Sequence, residues 1–169
     1  PAQQDTAQTE TQLDEQPAEQ SEEPVAEPEA EPEEEPAQTV DVTDSFGRVV
    51  TIPAEVTSVA PSGAVASMFL ASIAPEYMVT INAEPSAAQM AYLDARLADL
   101  PATGQMYGSK ANLNLEALLA SGAQLIIDLG DKKDDMAADL DGLQEQVGIP
   151  VVFIEADLPH MADAYRTLG

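Results

Sequence analysis

Residues Asn114–Asp128 read NLEALLASGAQLIID, and within this one stretch a short helix passes into a buried strand. Asn114 has a side-chain oxygen suited to capping the helix, and Leu115, Leu118 and Leu119 recur at spacings of three and four, which places them on one helical face. Gly122 is placed to take the left-handed conformation that ends helices. Leu125-Ile126-Ile127 is apolar at every position rather than at alternate ones, the pattern of a strand covered on both faces in a parallel sheet. Asp128 closes it. Ligands of open parallel sheets lie beyond the carboxyl ends of the strands, so the loop Asp128–Lys133 is the first place to look for function.

The flanking segments repeat this alternation. Upstream, Val40–Thr43 and Val49–Ile52 are β-rich runs around Asp44-Ser45-Phe46-Gly47-Arg48, which predicts a hairpin ended by Pro53. Val56–Ala60 is a second short strand. Pro61-Ser62-Gly63 turns it into a helix carrying Val65, Met68, Phe69 and Ile73 on one stripe, stopped by Pro75. Tyr77–Ile81 is another apolar run, followed by a helix that Ser86 caps and that extends to about Leu97. Downstream, Asp134 or Asp135 starts a helix with Met136, Leu140, Leu143 and Val147 at helical spacing, and Gly148 ends it. Pro150–Ile154 is the next buried strand, and His160–Leu168 the last helix. The fold class expected is α/β: a three-layer, mainly parallel sheet flanked by helices, with an N-terminal β-hairpin.

Composition divides the chain in two. Pro1–Thr39 holds 13 acidic residues, no basic or aromatic ones, and repeated Glu-Pro and Pro-Ala units. Such a segment cannot bury enough apolar surface to offset its conformational entropy, so residues 1–39 are expected to be a disordered linker, kept extended by charge repulsion and proline. A tether that holds a folded domain off a surface is the functional reading, and a solubilising tail the plainer one. Residues 40–169 are enough for one domain with one core. Their 18 acidic residues face only 6 basic ones, which argues against nucleic acid as a partner, because phosphate binding needs clustered Lys and Arg. A charge this negative also favours a monomer. No apolar run is long enough to span a bilayer and no signal peptide is apparent, so an exported protein is expected to have lost its targeting segment. With no cysteine there are no disulfides, thiolate chemistry or cysteine-ligated metals.

Several segments resemble the N-terminal lobe of class III solute-binding proteins of ABC importers, the group that captures ferric siderophores, haem and cobalamin. They are Thr43–Pro53, Leu100–Gly104, Asn114–Leu119 with Leu125–Asp128, Gly148–Val152 and Tyr165–Gly169, in that order. The resemblance covers residues 40–169. It implies that two α/β lobes joined by a long helix hold a metal chelate (an iron-siderophore, haem or corrinoid ligand) in a cleft between them, and that an ABC permease in the membrane receives it. It further implies an extracytoplasmic location, cell-surface or periplasmic, with the acidic segment as the spacer after a lipid anchor. This chain ends where the joining helix of such proteins begins, which implies half of a binding site. One departure concerns docking: where members of the family often carry a permease-contacting glutamate, this sequence has Val65.

The ligand-contact candidates are the residues of the post-strand loops and of the long loop Pro101–Leu113: Ser62, Gly63, Asn82, Met106, Tyr107, Gly108, Lys110, Asp128, Gly130 and Lys132. Tyr107 is suited to stacking on a macrocycle, and the plainer alternative is a loop aromatic half-packed on the surface. Lys110 is suited to pairing with a ligand carboxylate. Lys132 and Lys133 stand out in so acidic a domain as attractors of an anion, although a solvated pair beside Asp131, Asp134 and Asp135 explains them as well. Asp128 has a capping role as its simpler reading. His160 has no second histidine and no cysteine to complete a ligand set, so surface or capping use is favoured over metal binding, and no metal site and no cofactor are expected. Catalysis finds little support: there is no Gly-x-Ser-x-Gly elbow, no glycine-rich phosphate loop and no zinc-type histidine pair. An enzyme fragment of Rossmann-like type and a surface adhesion or scaffolding module are the alternatives.

Overall fold

Alternate residues of three parallel strands feed two separate cores, one on each face of a single sheet. The computed structural model describes residues 38–169; the expectation for the acidic segment falls almost wholly outside them. Strands β3 (Val59–Pro61), β4 (Leu125–Gly130) and β5 (Val151–Glu155) pair in the order β3-β4-β5, with Ile126 opposite both Ala60 and Val151. Val59, Leu125, Ile127, Val152 and Ile154 face one core. There they meet Phe69 and Leu70 of helix α1 (Ala64–Ile73) and Ala164 of the C-terminal helix Met161–Leu168. Ala60, Ile126, Val151 and Phe153 face the other core, with Leu118 of the helix Leu115–Ala120 and Leu140, Leu143 and Val147 of the helix Met136–Val147. In chain order, with the one-turn helix α2 (Ala87–Met90), these three later helices are α5, α3 and α4. The expected three-layer arrangement is thus present.

The β1–β2 hairpin (Thr39–Thr43 and Val49–Pro53, antiparallel) is fastened to the sheet by its turn. Asp44 Oδ1 accepts the N–H groups of Phe46 and Arg48 at 2.9 and 3.0 Å, which closes the turn. Arg48 then links three places: its Nε donates to Asp44 (2.8 Å), one terminal nitrogen to Asp141 on α4 (2.7 Å) and the other to the Val151 carbonyl on β5 (2.6 Å). A planar guanidinium offers these donors in a fixed fork, which an ammonium cannot. Phe46 packs on Phe153 with ring centroids 4.6 Å apart.

The helix ends follow the local chemistry. Asn114 Oδ1 accepts the Ala117 N–H (3.1 Å) to cap α3, and Gly148 takes the left-handed conformation (φ 69°) that ends α4. A side chain at Gly148 would be strained by that φ alone.

Four expectations need correction. Tyr77–Ile81 is not a regular strand: Pro75–Tyr77 is a 3₁₀ turn, and the segment makes one bridge to the sheet, Met78 to Val59, and one to the long loop, Ile81 to Ala102. Proline at the first position favours the tight turn, which uses up residues that would otherwise extend the ladder. The helix from Ser86 ends at Met90, despite a complete capping box between Ser86 and Gln89. Asp94 caps a separate 3₁₀ segment, Ala95–Asp99, that buries Leu97. On α1 the buried face is Ala66, Ser67, Phe69 and Leu70, while Val65 and Met68 are exposed, so the stripe is rotated from the one expected. Leu119 likewise points outward from α3 while Leu118 is buried.

Candidate functional site

Asp128 is the third residue from the end of β4, so its side chain reaches the carboxyl edge of the sheet on the α3/α4 face, where the long loop crosses. That loop is pinned at several points. Met106 N–H donates to the Ser62 carbonyl (2.9 Å), Gln105 N–H to Asn112 Oδ1 (2.7 Å) and Asn114 N–H to the Thr103 carbonyl (2.9 Å). Gly104 makes the crossing possible. Its φ is +79°, and a Cβ there would lie 2.5 Å from the Asn112 carbonyl oxygen, a backbone atom that cannot step aside. The result places Tyr107 over the strand tip.

Two hydroxyl side chains then share one carboxyl group. The Ser62 hydroxyl, in the turn after β3, donates to Asp128 Oδ1, and the Tyr107 hydroxyl donates to Oδ2 at 2.5 Å. Ser62 and Asp128 are almost completely buried, whereas Tyr107 is half-buried and forms part of the wall. Burial pushes the Asp128 carboxyl above the usual carboxylate range; the hydrogen bonds from Ser62, Tyr107 and the Leu129 N–H and the charge of Arg48 offset part of that. Burial also pushes the Tyr107 phenol well up, and the Asp128 charge and hydrogen bond add to it, with a smaller contribution from Asp139.

Around this cluster lies an open cleft of about 570 Å³. Seven of the ten candidates line it: Ser62, Gly63, Tyr107, Gly108, Lys110, Asp128 and Gly130. The other three are elsewhere. Met106 is buried in the core beneath the loop, at 4% exposure. Asn82 lies in a neighbouring groove with Ser67, whose hydroxyl accepts its N–H at 3.0 Å. Lys132 is turned toward the hairpin: its Nζ donates to the Ser45 carbonyl (2.7 Å) and sits 5.1 Å from the Phe46 ring centroid. Its neighbour Lys133 faces the cleft instead, together with Asp131 and Asp139. Sequence reasoning also missed Gln105, which occupies the space a Cβ at Gly63 would fill. Successive side chains after a strand diverge, so only one of two adjacent lysines is expected to face a given side, and this signal was available in the sequence.

A larger groove of about 630 Å³ lies between the hairpin, the sheet and the residues Thr167–Gly169. Its lining is mainly aliphatic, and the polar cluster is not in it, so the strand-tip cleft is the better candidate site for a polar ligand.

The tip of β5 carries a further group. His160 Nδ1 lies 2.5 Å from Asp157 Oδ1 and 3.9 Å from Glu155 Oε1. The hydrogen bond to Asp157 holds the imidazole pKa above its ordinary value, with the charges of Asp157, Glu155 and Asp163 acting in the same direction and desolvation against it. The backbone N–H of His160 also donates to Asp157 Oδ1 (3.0 Å), so Asp157 caps the turn into α5.

No protein-family model matches the sequence, and no curated protein matches it. Solved structures do share the fold. The ABC transporter solute binding protein from Sulfurospirillum deleyianum DSM 6946 matches with a TM-score of 0.64 at 19% identity, over 76% of this chain and 41% of its own. The protein named holo-ViuP matches with a TM-score of 0.57 at 16% identity, over 77% of this chain and 42% of its own. A periplasmic solute binding protein from Veillonella parvula DSM 2008 gives 0.55 at 22% identity, over 78% and 40%. The chain therefore spans about two fifths of the length of these structures, and what it shares with them is the fold. Among the described residues no helix is long and apolar enough to cross a membrane.

Proposed function

We propose that residues 40–169 are the N-terminal lobe of an ABC importer's solute-binding component, and that the strand-tip cleft is this lobe's half of the site. The observation that carries the reading is the position of that cleft: it opens at the carboxyl ends of β3 and β4, on a fold shared with solute-binding proteins. Its chemistry suits binding rather than catalysis. The carboxyl group of Asp128 has both oxygens engaged by hydroxyl donors, which orients the Tyr107 ring as a fixed wall.

The ligand class we propose is a metal chelate of the siderophore, haem or corrinoid type. A half-buried aromatic wall with Lys110 and Lys133 at the mouth fits a large, partly apolar ligand that carries acidic groups. The solute would pass to a membrane permease, outside the cytoplasm. Residues 1–39 would then serve as the spacer from a lipid anchor, and Val65 at the first turn of α1 implies that docking does not use a glutamate there.

The test is a titration of the gene's full-length product with haemin, cyanocobalamin and a ferric hydroxamate siderophore, followed by calorimetry and ligand absorbance. One of the three should bind, and Tyr107→Ala should weaken that binding by roughly tenfold or more, the loss expected when a buried aromatic anchor is truncated. Binding of none, or binding indifferent to Tyr107→Ala, contradicts the assignment.

A further inference from the structure

We propose that Glu155, Asp157 and His160 form a binding site for a divalent transition-metal ion of the zinc type, at the β5 edge of the strand-tip rim. The donors come from three structural contexts, namely the last residue of a strand, the loop after it and the residue that starts a helix, yet their ligand atoms all lie within 4.8 Å of one another. An imidazole with two carboxylates and no thiolate is a borderline donor set, suited to zinc and its neighbours rather than to calcium or magnesium.

The geometry is close to what such an ion needs. Donor atoms on a tetrahedral zinc at bond lengths near 2.1 Å stand about 3.4 Å apart. Here His160 Nδ1 is 2.5 Å from Asp157 and 3.9 Å from Glu155, so small rotations of partly exposed side chains bring all three to coordinating distance. The backbone that carries them is fixed. Glu155 N–H donates to Ser45 Oγ (2.9 Å), Ala156 N–H to the Gly130 carbonyl (2.9 Å) and His160 N–H to the Asp157 carbonyl (3.1 Å).

Charge points the same way. Among the described residues neither Glu155 nor Asp157 has a Lys or Arg partner, since Arg166 on the same helix is taken by Asp163. Within 4 Å, among the described residues, the two carboxylates therefore share a single imidazole as their cationic partner. A metal ion would take the place of the proton that now bridges His160 and Asp157, and that proton leaves to solvent. Three protein ligands leave a tetrahedral ion one open position, for water or for a donor atom of a ligand. Glu155 pairs in register with Gly130, a residue of the cleft wall, so that position lies beside the cleft.

This site stands apart from the solute reading, because the ion is held by side chains outside the cleft lining. The experiment titrates the 169-residue chain with zinc chloride and follows the imidazole resonances of His160. It is the sole histidine, so the signals are unambiguous and weak association of zinc with the many other carboxylates does not move them. One ion per chain should bind, with the His160 signals shifting to saturation, and Asp157→Asn and Glu155→Gln should each lower the affinity read from those signals about tenfold or more. Imidazole signals unmoved by excess zinc, or an affinity unchanged in both carboxylate variants, overturns the proposal.

Discussion

Phe153→Ala should lower the stability of the domain by about 3–5 kcal/mol, the usual range for truncating a buried aromatic side chain. Phe153 is completely buried at the centre of β5, in the core that joins α3 and α4 to the sheet. It also carries the hairpin: its carbonyl accepts the Ser45 N–H at 3.0 Å, and its ring is the surface on which Phe46 rests. The substitution therefore leaves a cavity and removes the seat of the β1–β2 turn. Set against a typical total of about 5–15 kcal/mol, the loss is a large share of what holds the domain folded. Urea unfolding followed by circular dichroism measures it, with Tyr92→Ala as the comparison, because Tyr92 is 91% exposed and its removal should change stability by less than about 0.5 kcal/mol. Equal midpoints for the two variants would refute this picture of the core.

The second large effect concerns Asp128. Replacing it by alanine removes the acceptor from two hydroxyls at once, and Ser62, at 1% exposure, is nearly shut off from solvent. An unpaired buried hydroxyl costs about 1–3 kcal/mol. Asp128→Asn keeps the shape and isolates the charge. Because the folded-state pKa of Asp128 is raised above the ordinary 3.8, its ionisation works against the fold. Stability linked to this group is fully present below that ordinary value and is lost as pH rises through the higher folded-state midpoint. Wild-type stability should thus fall relative to Asp128→Asn across that window, and a difference that stays flat with pH contradicts the assignment. Tyr107 gives an independent readout. With the carboxylate gone its phenol should ionise at lower pH than in the wild type, while burial still keeps it above the ordinary tyrosine value. The ring resonances of Tyr107, assigned by comparison with Tyr107→Phe, report this apart from the other three tyrosines.

The sheet was legible because its central strand needs no tertiary information. Leu125-Ile126-Ile127 is apolar on both faces, and the glycine and asparagine that bound the preceding helix behave by local chemistry alone. Asp128, Tyr107 and Ser62 were each visible as residues of post-strand or long loops, but their meeting at one carboxyl group depends on how the loop Pro101–Leu113 crosses the strand tip, which no spacing encodes. Met106 and Tyr107 illustrate the limit: adjacent in sequence, one is core and the other is cleft wall. The run Tyr77–Ile81 misled because apolar continuity marks burial and not ladder pairing, and Thr80 within it is fully buried without being part of a strand. Lys132 was legible as an unusual charge, yet its use is structural, clamped to the hairpin turn across 87 residues of chain. His160 was noticed alone, without Glu155 and Asp157. Their convergence was missed, because His160 was weighed for cysteine and histidine partners while carboxylate partners lay three and five residues away.

The most direct test of the central claim maps where a captured solute touches the chain. Once a metal chelate that binds has been found, amide chemical shifts of isotopically labelled protein should change at Ser62, Gly63, Gly108 and Gly130, around the tips of the parallel strands. Gly122 and Gly148, next to the opposite ends of those strands, should stay still. Changes confined to Gly122, Gly148 and the groove beside Thr167–Gly169 would place the solute on the wrong edge of the sheet and contradict the account.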